Sequence, residues 1–398
     1  MISTVICKPT KDCNADCSYC SSPPDQMSHW TFEDFKIAFD ALIPRFSSNP
    51  VWIWHGGEPM LLGPEFYEKC WEYTRSKYPG VRFSIQTNIL LYTSKKWKRV
   101  LRDIFKGSIS TSFDMNSTER TLKGCPDRYE KRFKEKLDLM LEDGFAPLVI
   151  STYDESNIGY ATEAYDFSMN HDISRFDIRL NYRYPLGRAA GERKELISPK
   201  SYGEMLVETY NKWVVDNPGF IILPLKQMVE SCIGKIIEQC PWTRTCAGGF
   251  IGIEPNGDIY NCSDFADIGD KSYRFGNVFQ NVVDTKTANF VRRVDKEKFI
   301  SEALRSPAAV QHKRRRVKLP VDCTQCRHYK ECNGGCLRDV VLYDRELGGK
   351  FYYCQSWMMV YDRIKESILS GEADNILKML GHDIDESKRH VKTYMNRA

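Results

Sequence analysis

The sequence contains no long apolar run and no apolar start. No stretch of about 18 apolar residues occurs in the 398 residues, which excludes a membrane-spanning helix of the usual length. Residues 1–12 include Lys8 and Lys11 and have no apolar core, so they do not form a secretory signal peptide. We therefore expect a cytoplasmic protein in a reducing compartment, where disulfides are rare.

The chain also lacks a strong charge of either sign. Its formal net charge is +4, and 42% of its residues are hydrophobic, which is enough for one large domain and a smaller one. The basic run from Lys313 to Lys318 has no aromatic residues between its charges. This pattern favours a solvated loop face over a phosphate-binding patch. We expect neither a nucleic acid nor a membrane as a partner.

Cysteine, by contrast, is abundant, with 15 residues. Without disulfides, metal ligation is the leading use for so many thiols. Cys13, Cys17 and Cys20 lie within eight residues, and no fourth cysteine is close to them in sequence. A zinc site would require four protein ligands, and a disulfide network would not leave an odd number. Three thiolates suit a [4Fe–4S] cluster with one iron open to a small molecule.

Apolar runs alternate with amphipathic stretches in the first half of the chain. The predicted strands are residues 3–9, 51–57, 81–88, 107–114, 146–152 and 175–181. The predicted helices are residues 31–46, 63–78, 94–105, 128–144 and 161–171. Thr31 and Asp34 predict a capping box at the first helix. This order predicts an α/β fold with a parallel sheet, either barrel-like or doubly wound, and six units fall short of an eight-strand barrel.

The pattern changes after about residue 195. Two helical stretches precede residues 249–265, which read as a β-hairpin with its turn at Asn256 and Gly257. A cysteine-dense stretch from Cys323 to Cys354 follows, and helical sequence closes the chain. We place domain boundaries at 1–225, 226–357 and 358–398.

Two short motifs follow the first two predicted strands. The first is C-x3-C-x-aromatic-C, in which Tyr19 precedes the last cysteine, and the second is Gly56-Gly57-Glu58 followed by proline. Adjacent glycines let a backbone approach a ligand closely, and a carboxylate can receive an ammonium group. Together the motifs resemble those of the radical S-adenosylmethionine (AdoMet) superfamily.

This resemblance implies that Cys13, Cys17 and Cys20, the cluster loop, hold a [4Fe–4S] cluster whose open iron binds the AdoMet amine and carboxylate. It also implies a partial (β/α)6 TIM-like barrel. Two arginines, Arg120 and Arg183, are among the implied AdoMet contacts, and a solvated loop charge is the alternative for either of them. Lys123 is nearly as well placed as Arg120. The AdoMet contacts implied by position are Tyr19, Gly56, Gly57, Glu58, Ser112, Arg120 and Arg183.

The C-terminal cysteines resemble the SPASM extension of that superfamily, which is named for peptide- and sulfatase-maturing members. The spacing C-x2-C-x5-C-x3-C is present, with a distal cysteine after it. Eight cysteines complete two four-thiolate clusters, and zinc at the CxxC portion is the alternative. The family's interleaved order implies an inner set of Cys240, Cys246, Cys262 and Cys336. It implies an outer set of Cys323, Cys326, Cys332 and Cys354.

Two residues are candidates for catalysis. Asp264 is the candidate proton acceptor, although anaerobic sulfatase-maturating enzymes place an aspartate directly after the hairpin cysteine and Ser263 intervenes here. A one-residue shift in a strand turns a side chain to the other face, so we rank sulfatase maturation below other peptide oxidations. Cys125 could return a hydrogen atom to a substrate radical, as an epimerase requires, and an incidental loop cysteine is its alternative.

The resemblance implies a radical SAM oxidoreductase with AdoMet and three [4Fe–4S] clusters. The leading prediction is oxidation or cross-linking of a residue in a peptide or protein, with electrons from a reductant such as flavodoxin or ferredoxin. A small-molecule dehydrogenase or epimerase is the second hypothesis, and a non-catalytic electron carrier is the third. Because the cluster motif begins at Cys13, we expect no leader-binding domain before it.

Overall fold

The computed structural model describes residues 1–24, 29–190, 196–279, 296–315, 317–344 and 347–395. The strands are β1 Ile2–Cys7, β2 Asp16–Cys17, β3 Phe46–Trp54, β4 Arg82–Gln86, β5 Ile109–Ser112, β6 Arg120–Thr121, β7 Leu148–Tyr153, β8 Ile178–Tyr182, β9 Ile222–Leu223, β10 Phe250–Ile253, β11 Asp258–Tyr260 and β12 Gly276–Asn277.

The helices range from single turns to segments of 18 residues. They are α1 Phe32–Leu42, α2 Pro64–Lys77, α3 Ser94–Asp103, α4 Pro126–Glu142, α5 Ala161–Met169, α6 Pro199–Asp216, α7 Leu225–Cys232, α8 Cys246–Gly249, α9 Ser263–Asp267, α10 Lys296–Ala303, α11 Pro307–Arg314, α12 Val321–Thr324, α13 Tyr329–Cys332, α14 Leu337–Asp344, α15 Cys354–Ser370, α16 Asp374–Met379 and α17 Ile384–Met395.

Ten of these strands form one sheet in the order β12-β11-β10-β1-β3-β4-β5-β7-β8-β9. Every pair from β10 to β9 is parallel, and only β11 and β12 are antiparallel, at one edge. The α/β fold with a parallel sheet is therefore confirmed, and all six predicted strands are part of it. Because parallel strands end at the same edge, the loops after them gather on one side of the molecule.

The predicted hairpin extends this sheet. β10 pairs in parallel with β1, from Thr4 opposite Phe250 to Cys7 opposite Ile253, and β11 returns antiparallel to it. The turn has Gly257 at φ +83°, a left-handed conformation that glycine adopts at no steric cost. The pairing between β10 and β1 joins segments far apart in sequence, and sequence reasoning did not predict it. The hairpin, which precedes the cysteine-dense stretch, is thus part of the main sheet.

Local sequence signals explain how the first βα unit forms. The capping box at α1 is confirmed, because the Thr31 hydroxyl accepts from the Asp34 backbone N–H and the Asp34 carboxylate accepts from the Thr31 backbone N–H. α1 then packs Phe35 against the indole rings of Trp52 and Trp54 on β3, at 5.4 and 5.5 Å between ring centroids. This fully buried aromatic layer supports the sheet edge at which β3 ends.

The C-terminal helix α15 packs on α6 and α7, the helices that precede and follow the edge strand β9. α15 packs along α6, where the hydroxyls of Tyr210 and Ser367 lie 2.6 Å apart in the buried interface. Within the described ranges no helix is long and apolar enough to cross a membrane.

Candidate functional site

The cluster loop lies between β1 and α1, at the carboxyl edge of the sheet. Its three cysteines are half-buried. β2, which contains Cys17, pairs antiparallel with β6, and the Ser18 backbone N–H donates to the Glu119 carbonyl at 2.9 Å. The backbone of the loop is therefore fixed to the connection that follows β5, which holds the thiols in place.

The Gly-Gly-Glu turn after β3 packs against the same loop. The Gly57 N–H donates to the Thr10 carbonyl at 3.0 Å, and the Glu58 N–H donates to the Asp12 carbonyl at 2.7 Å. A Cβ atom on Gly56 would collide with the Thr10 carbonyl oxygen, and one on Gly57 would collide with that of Asp12. The two glycines are thus required for the close approach of this turn to the cluster loop.

The thiols of the cluster loop have surroundings that suit a metal cluster. Burial raises the pKa of Cys13 to about 12 and also raises the pKa of Cys17 and Cys20, and the charges of neighbouring cysteines contribute at Cys13 and Cys17. The Ala15 backbone N–H and the Asn88 amide both donate to the Cys13 sulfur, at 3.4 and 3.7 Å. Such donors tune iron–sulfur clusters. In the part of the chain that the structure describes, no three His, Cys, Asp or Glu side chains converge to hold a single metal ion.

Glu58 is fully buried, and its carboxylate is hydrogen-bonded within the chain. One oxygen accepts from the Met60 backbone N–H at 2.8 Å and from the Thr87 hydroxyl at 2.7 Å, and the other accepts from the Asn88 backbone N–H at 2.7 Å. Burial raises the pKa of Glu58 to about 7, although these donors oppose the shift. The carboxylate joins the turn after β3 to the loop after β4, and its role in binding the AdoMet ammonium stays a prediction.

Tyr19 lies in a charged cluster at this edge. The guanidinium groups of Arg120 and Arg183 each lie 5.3 Å from the centre of its ring, and its hydroxyl bonds to Asp114. Arg120 donates to the Asp114 carboxylate at 2.6 Å, and Arg183 donates to Asp154 at 2.8 Å. The structure thus brings three predicted AdoMet contacts together and shows that both arginines have carboxylate partners rather than solvated charges.

Ser112 lies at the end of β5, near this cluster. Its hydroxyl accepts from the Gln86 amide at 3.0 Å, and its carbonyl accepts from the Tyr129 hydroxyl at 3.2 Å. Sequence reasoning missed Asp114, which also accepts from the Thr152 backbone N–H at 2.7 Å and so connects β5 to β7. An acidic residue two positions beyond a strand end was the signal available for it.

The inner set lines a large cavity. All four cysteines contribute to its wall, together with barrel-interior residues from β1, β3, β4, β5, β7 and β8, and its volume is about 900 Å³. A hydrogen bond with Cys240 is the leading cause that raises the pKa of Cys336, and burial together with the charges of Cys246 and Cys336 raises the pKa of Cys262. These four thiols, distant in sequence, therefore line one cavity, and their assignment to one cluster stays a prediction.

Asp264 faces the same cavity. The expectation that strand alternation would point its side chain to the other face was wrong. Residues 263–267 form α9 instead of continuing the strand, so strand alternation does not apply. Its carboxylate, 34% exposed, accepts from Arg338 at 2.7 Å. Burial alone would raise the pKa of Asp264, but the positive charges of Arg338 and Lys8 lower it below its usual value. Asp264 is thus an ionised carboxylate beside the inner set.

The outer set lines a second cavity, of about 400 Å³, to which all four of its cysteines contribute. Burial raises the pKa of Cys332, with contributions from the charges of Cys354, Cys323 and Cys326. Arg315 lies beside this set, buried, and its Nη1 has no hydrogen-bond partner among the described atoms. Its Nη2 donates to the Gly334 carbonyl at 3.3 Å, and a negatively charged thiolate cluster would balance the buried positive charge.

Cys125 lies elsewhere. It is the N-cap residue of α4, and its backbone bonds to Leu122 in the loop that follows β6. It does not belong to the described lining of the large cavity. The structure therefore separates the two candidate catalytic residues, since Asp264 faces the inner set and Cys125 does not.

Residues 7–154 match the family model described as the radical SAM superfamily. Over 92% of its length the chain is 24% identical to 92% of a serine-type anaerobic sulfatase-maturating enzyme of Bacteroides thetaiotaomicron. It is also 22% identical, over 91% of this chain and 95% of the relative, to a cysteine-type anaerobic sulfatase-maturating enzyme of Clostridium perfringens.

The fold agrees with these matches. A solved structure of anSMEcpe with bound AdoMet superposes with a TM-score of 0.75 at 18% identity, over 93% of this chain and 99% of that one. Streptococcus suis SuiB bound to its precursor peptide SuiA gives a TM-score of 0.60 at 14% identity, over 89% of this chain and 76% of that one. Residues 7–154 thus match the radical SAM model, and the chain is an enzyme that is similar over most of its length to the anaerobic sulfatase-maturating enzymes.

Proposed function

We propose that the protein is a radical SAM oxidoreductase that binds three [4Fe–4S] clusters and AdoMet and oxidises a residue of a peptide. The cluster loop would hold the cluster that binds AdoMet, and the inner and outer sets would hold one cluster each. A small electron-transfer protein such as flavodoxin or ferredoxin would supply the electrons. The relatives named above are sulfatase-maturating enzymes, and SuiB was solved with a peptide bound, which supports a peptide substrate.

One observation carries this proposal. The eight C-terminal cysteines fall into two groups of four, each lining its own cavity, and the larger cavity extends into the barrel interior. Four thiolates complete the ligand requirement of an iron–sulfur cluster, whereas the three of the cluster loop leave one iron open. The difference fits one cluster that binds a small molecule and two that accept or pass electrons.

When bound, AdoMet and these clusters supply a hydrogen-abstracting radical and a site for the electron left on the substrate. The chain's own part is to hold the reacting carbon, exclude water and accept a proton. Asp264 is the candidate for the last task, because its carboxylate lines the cavity. Arg338 fixes its position through the 2.7 Å hydrogen bond.

If the residue is a serine, as the name of the serine-type relative suggests, a C–H bond and an adjacent O–H bond of its side chain break and a C=O bond forms. One hydrogen atom leaves to the radical, one electron leaves to the protein, and one proton leaves to Asp264. The carbon is thus oxidised by two electrons in total. An epimerase would instead return a hydrogen atom from a thiol, and Cys125 lies outside the described lining of the cavity.

The mass of the product tests this reaction. The protein is reconstituted anaerobically with iron, sulfide and AdoMet, and is incubated in deuterated water with short peptides that carry a central serine. We expect a product two hydrogens lighter than the peptide, with one 5′-deoxyadenosine formed per turnover. A product of unchanged composition with one solvent deuterium on carbon would overturn the oxidation and establish an epimerase.

A further inference from the structure

The walls of the large cavity carry a marked excess of positive charge. Among its described lining residues there is a single carboxylate, on Asp264. The five cationic side chains in the same wall are Arg179, Arg244, Lys313, Arg315 and Arg338. The basic run from Lys313 to Lys318 is therefore not only a solvated face, because two of its cationic side chains, Lys313 and Arg315, line the cavity. Residue 316 lies outside the described residues.

Two of the five cations have an anionic partner or face thiolates. Arg338 pairs with Asp264 and with Asp339, each at 2.7 Å. Arg315 adjoins the outer set, and the charges of Cys323 and Cys332 act on its pKa, which burial lowers. Bound clusters would use the charge of these two arginines. They do not account for the other three.

The other three cations have only neutral partners in the described part of the chain. Arg179 donates to the side-chain oxygen of Asn181 at 3.0 Å, Arg244 donates to that of Asn333 at 2.9 Å, and Lys313 donates to the Leu304 carbonyl at 2.6 Å. These hydrogen bonds orient the side chains and leave their charges uncompensated. Cations converging on a cavity with one carboxylate create a positive potential that attracts anions.

Their positions differ in depth. Arg179 is on β8, three residues before the carboxyl end of that strand, so it charges the interior of the barrel about 10 Å below the rim. Arg244 and Lys313 are exposed members of the cavity wall. A single small anion would not reach all three cations, whereas an extended chain with several carboxylates would.

We propose that the substrate is an acidic peptide, with glutamate or aspartate residues on both sides of the residue that reacts. Carboxylates near the rim would pair with Arg244 and Lys313, and a carboxylate inserted into the barrel would pair with Arg179. This inference rests on the proposed function, because it assigns the charge of that function's peptide. It also predicts that a peptide rich in lysine or arginine is excluded from the cavity.

Calorimetric titration of the reconstituted holoenzyme with AdoMet tests the charge preference. The probes are nonapeptides with blocked ends and a central serine that is flanked by pairs of glutamate, glutamine or lysine residues. We expect the glutamate peptide to bind about tenfold more tightly than the glutamine peptide, and the lysine peptide to bind most weakly. The preference should shrink as salt is raised, because salt screens exposed charges.

Charge-removing variants locate the effect. Arg179→Gln should weaken binding of the glutamate peptide by about tenfold, and Arg244→Gln and Lys313→Gln by about two- to fivefold each. Arg314→Gln is the matched control, because it makes the same change one residue from Lys313 on an exposed side chain that the large cavity does not include. It should leave binding unchanged.

Three results would overturn the inference. These are equal affinities for the glutamate and glutamine peptides, an equal loss in Arg314→Gln and Lys313→Gln, and glutarate alone binding as tightly as the glutamate peptide. Formation of 5′-deoxyadenosine by the same protein preparations in the absence of peptide measures AdoMet cleavage separately. If cleavage is absent the proposed function fails, and if cleavage is present without a charge preference only this inference fails.

Discussion

The cluster loop and the two C-terminal cysteine sets are assembled in different ways. The three cysteines of the cluster loop lie within eight residues, and backbone hydrogen bonds to the turn after β3 and to β6 hold their loop. The inner and outer sets are interleaved in sequence, and each set lines one of two cavities. The cluster loop is thus a local arrangement supported by backbone contacts, whereas the inner and outer sets combine cysteines from distant parts of the chain.

This difference separates the two kinds of metal site. A loop held by backbone contacts keeps its shape while a ligand binds and leaves at an open iron. The inner and outer sets each offer four thiols, so a cluster bound there would need no open iron. Metal binding to such sets, which come from distant segments, is coupled to folding of the region. The comparison therefore predicts that loss of the cluster loop thiols and loss of the outer set thiols have different consequences.

The largest expected effect comes from replacing the cluster loop thiols. Anaerobically reconstituted protein should hold about twelve iron and twelve sulfide, and Cys13→Ala, Cys17→Ala and Cys20→Ala combined should remove about four of each. Formation of 5′-deoxyadenosine should be abolished, because AdoMet then lacks the iron to which it binds. Iron and sulfide analysis and chromatography of the nucleoside measure both quantities.

The outer set provides the matched comparison. Cys323→Ala combined with Cys326→Ala should lose the same amount of iron, yet 5′-deoxyadenosine should still form because the cluster loop is intact. Cys125→Ala, at the N-cap of α4, is the control and should lose no iron. If the outer variant also stopped nucleoside formation, the division between the two regions would be wrong. Tightly bound zinc at Cys323 and Cys326 would contradict the cluster assignment there.

Local patterns made much of this fold predictable from the sequence. Apolar alternation located six strands of the sheet, and the Thr31–Asp34 pair located the start of α1, because both signals act over a few residues. The pairing of β10 with β1 was not predictable, since it depends on contacts between segments far apart in the chain.

The site was predictable in its cysteines and less so in its other residues. Cysteine spacing carries a family pattern, and each predicted set of four lines a cavity of its own, while the ligation of a cluster stays a prediction. Asp114 and Arg338 were missed because their roles come from tertiary contacts with Tyr19 and Asp264. The position of Asp264 was misjudged for a local reason, as a helical turn begins directly after Cys262.

The second prediction examines the region around the inner set. Asp264→Asn should slow formation of the oxidised product by about 10²–10⁴-fold, since a positioned base typically contributes that much. Formation of 5′-deoxyadenosine should continue, because hydrogen abstraction precedes the proton transfer. The ratio of product to nucleoside is the measurement that separates this effect from a loss of AdoMet binding.

Asp270→Asn is the control for this change. Asp270 is exposed, and its side chain accepts from the Ser272 backbone N–H at 2.7 Å, which an asparagine side chain also does. The control variant should retain the wild-type ratio of product to nucleoside. An unchanged ratio in Asp264→Asn would show that another group accepts the proton.

The smallest expected effect concerns Glu58, on the cluster loop side of the comparison. Below about pH 4.5, Glu58→Gln would replace a carboxyl O–H by an amide NH₂, which brings one more hydrogen against these backbone and hydroxyl donors, so the free energy of unfolding should fall by about 1–3 kcal/mol. Because burial raises the pKa of Glu58 from 4.5 to about 7, the folded state favours its protonated form. Its contribution to stability is therefore present below about pH 4.5 and lost as the pH rises to 7.

Denaturant titration of wild-type protein and variant across this pH range measures both quantities. The wild type should lose stability between pH 4.5 and 7 from this group, whereas Glu58→Gln should lack that component. Glu72→Gln, an exposed substitution in α2, should match the wild type throughout. AdoMet titrations of the same proteins address the predicted contact with its ammonium group. A variant of unchanged stability whose AdoMet dissociation constant rises would show that the carboxylate acts on the ligand and not on the turn.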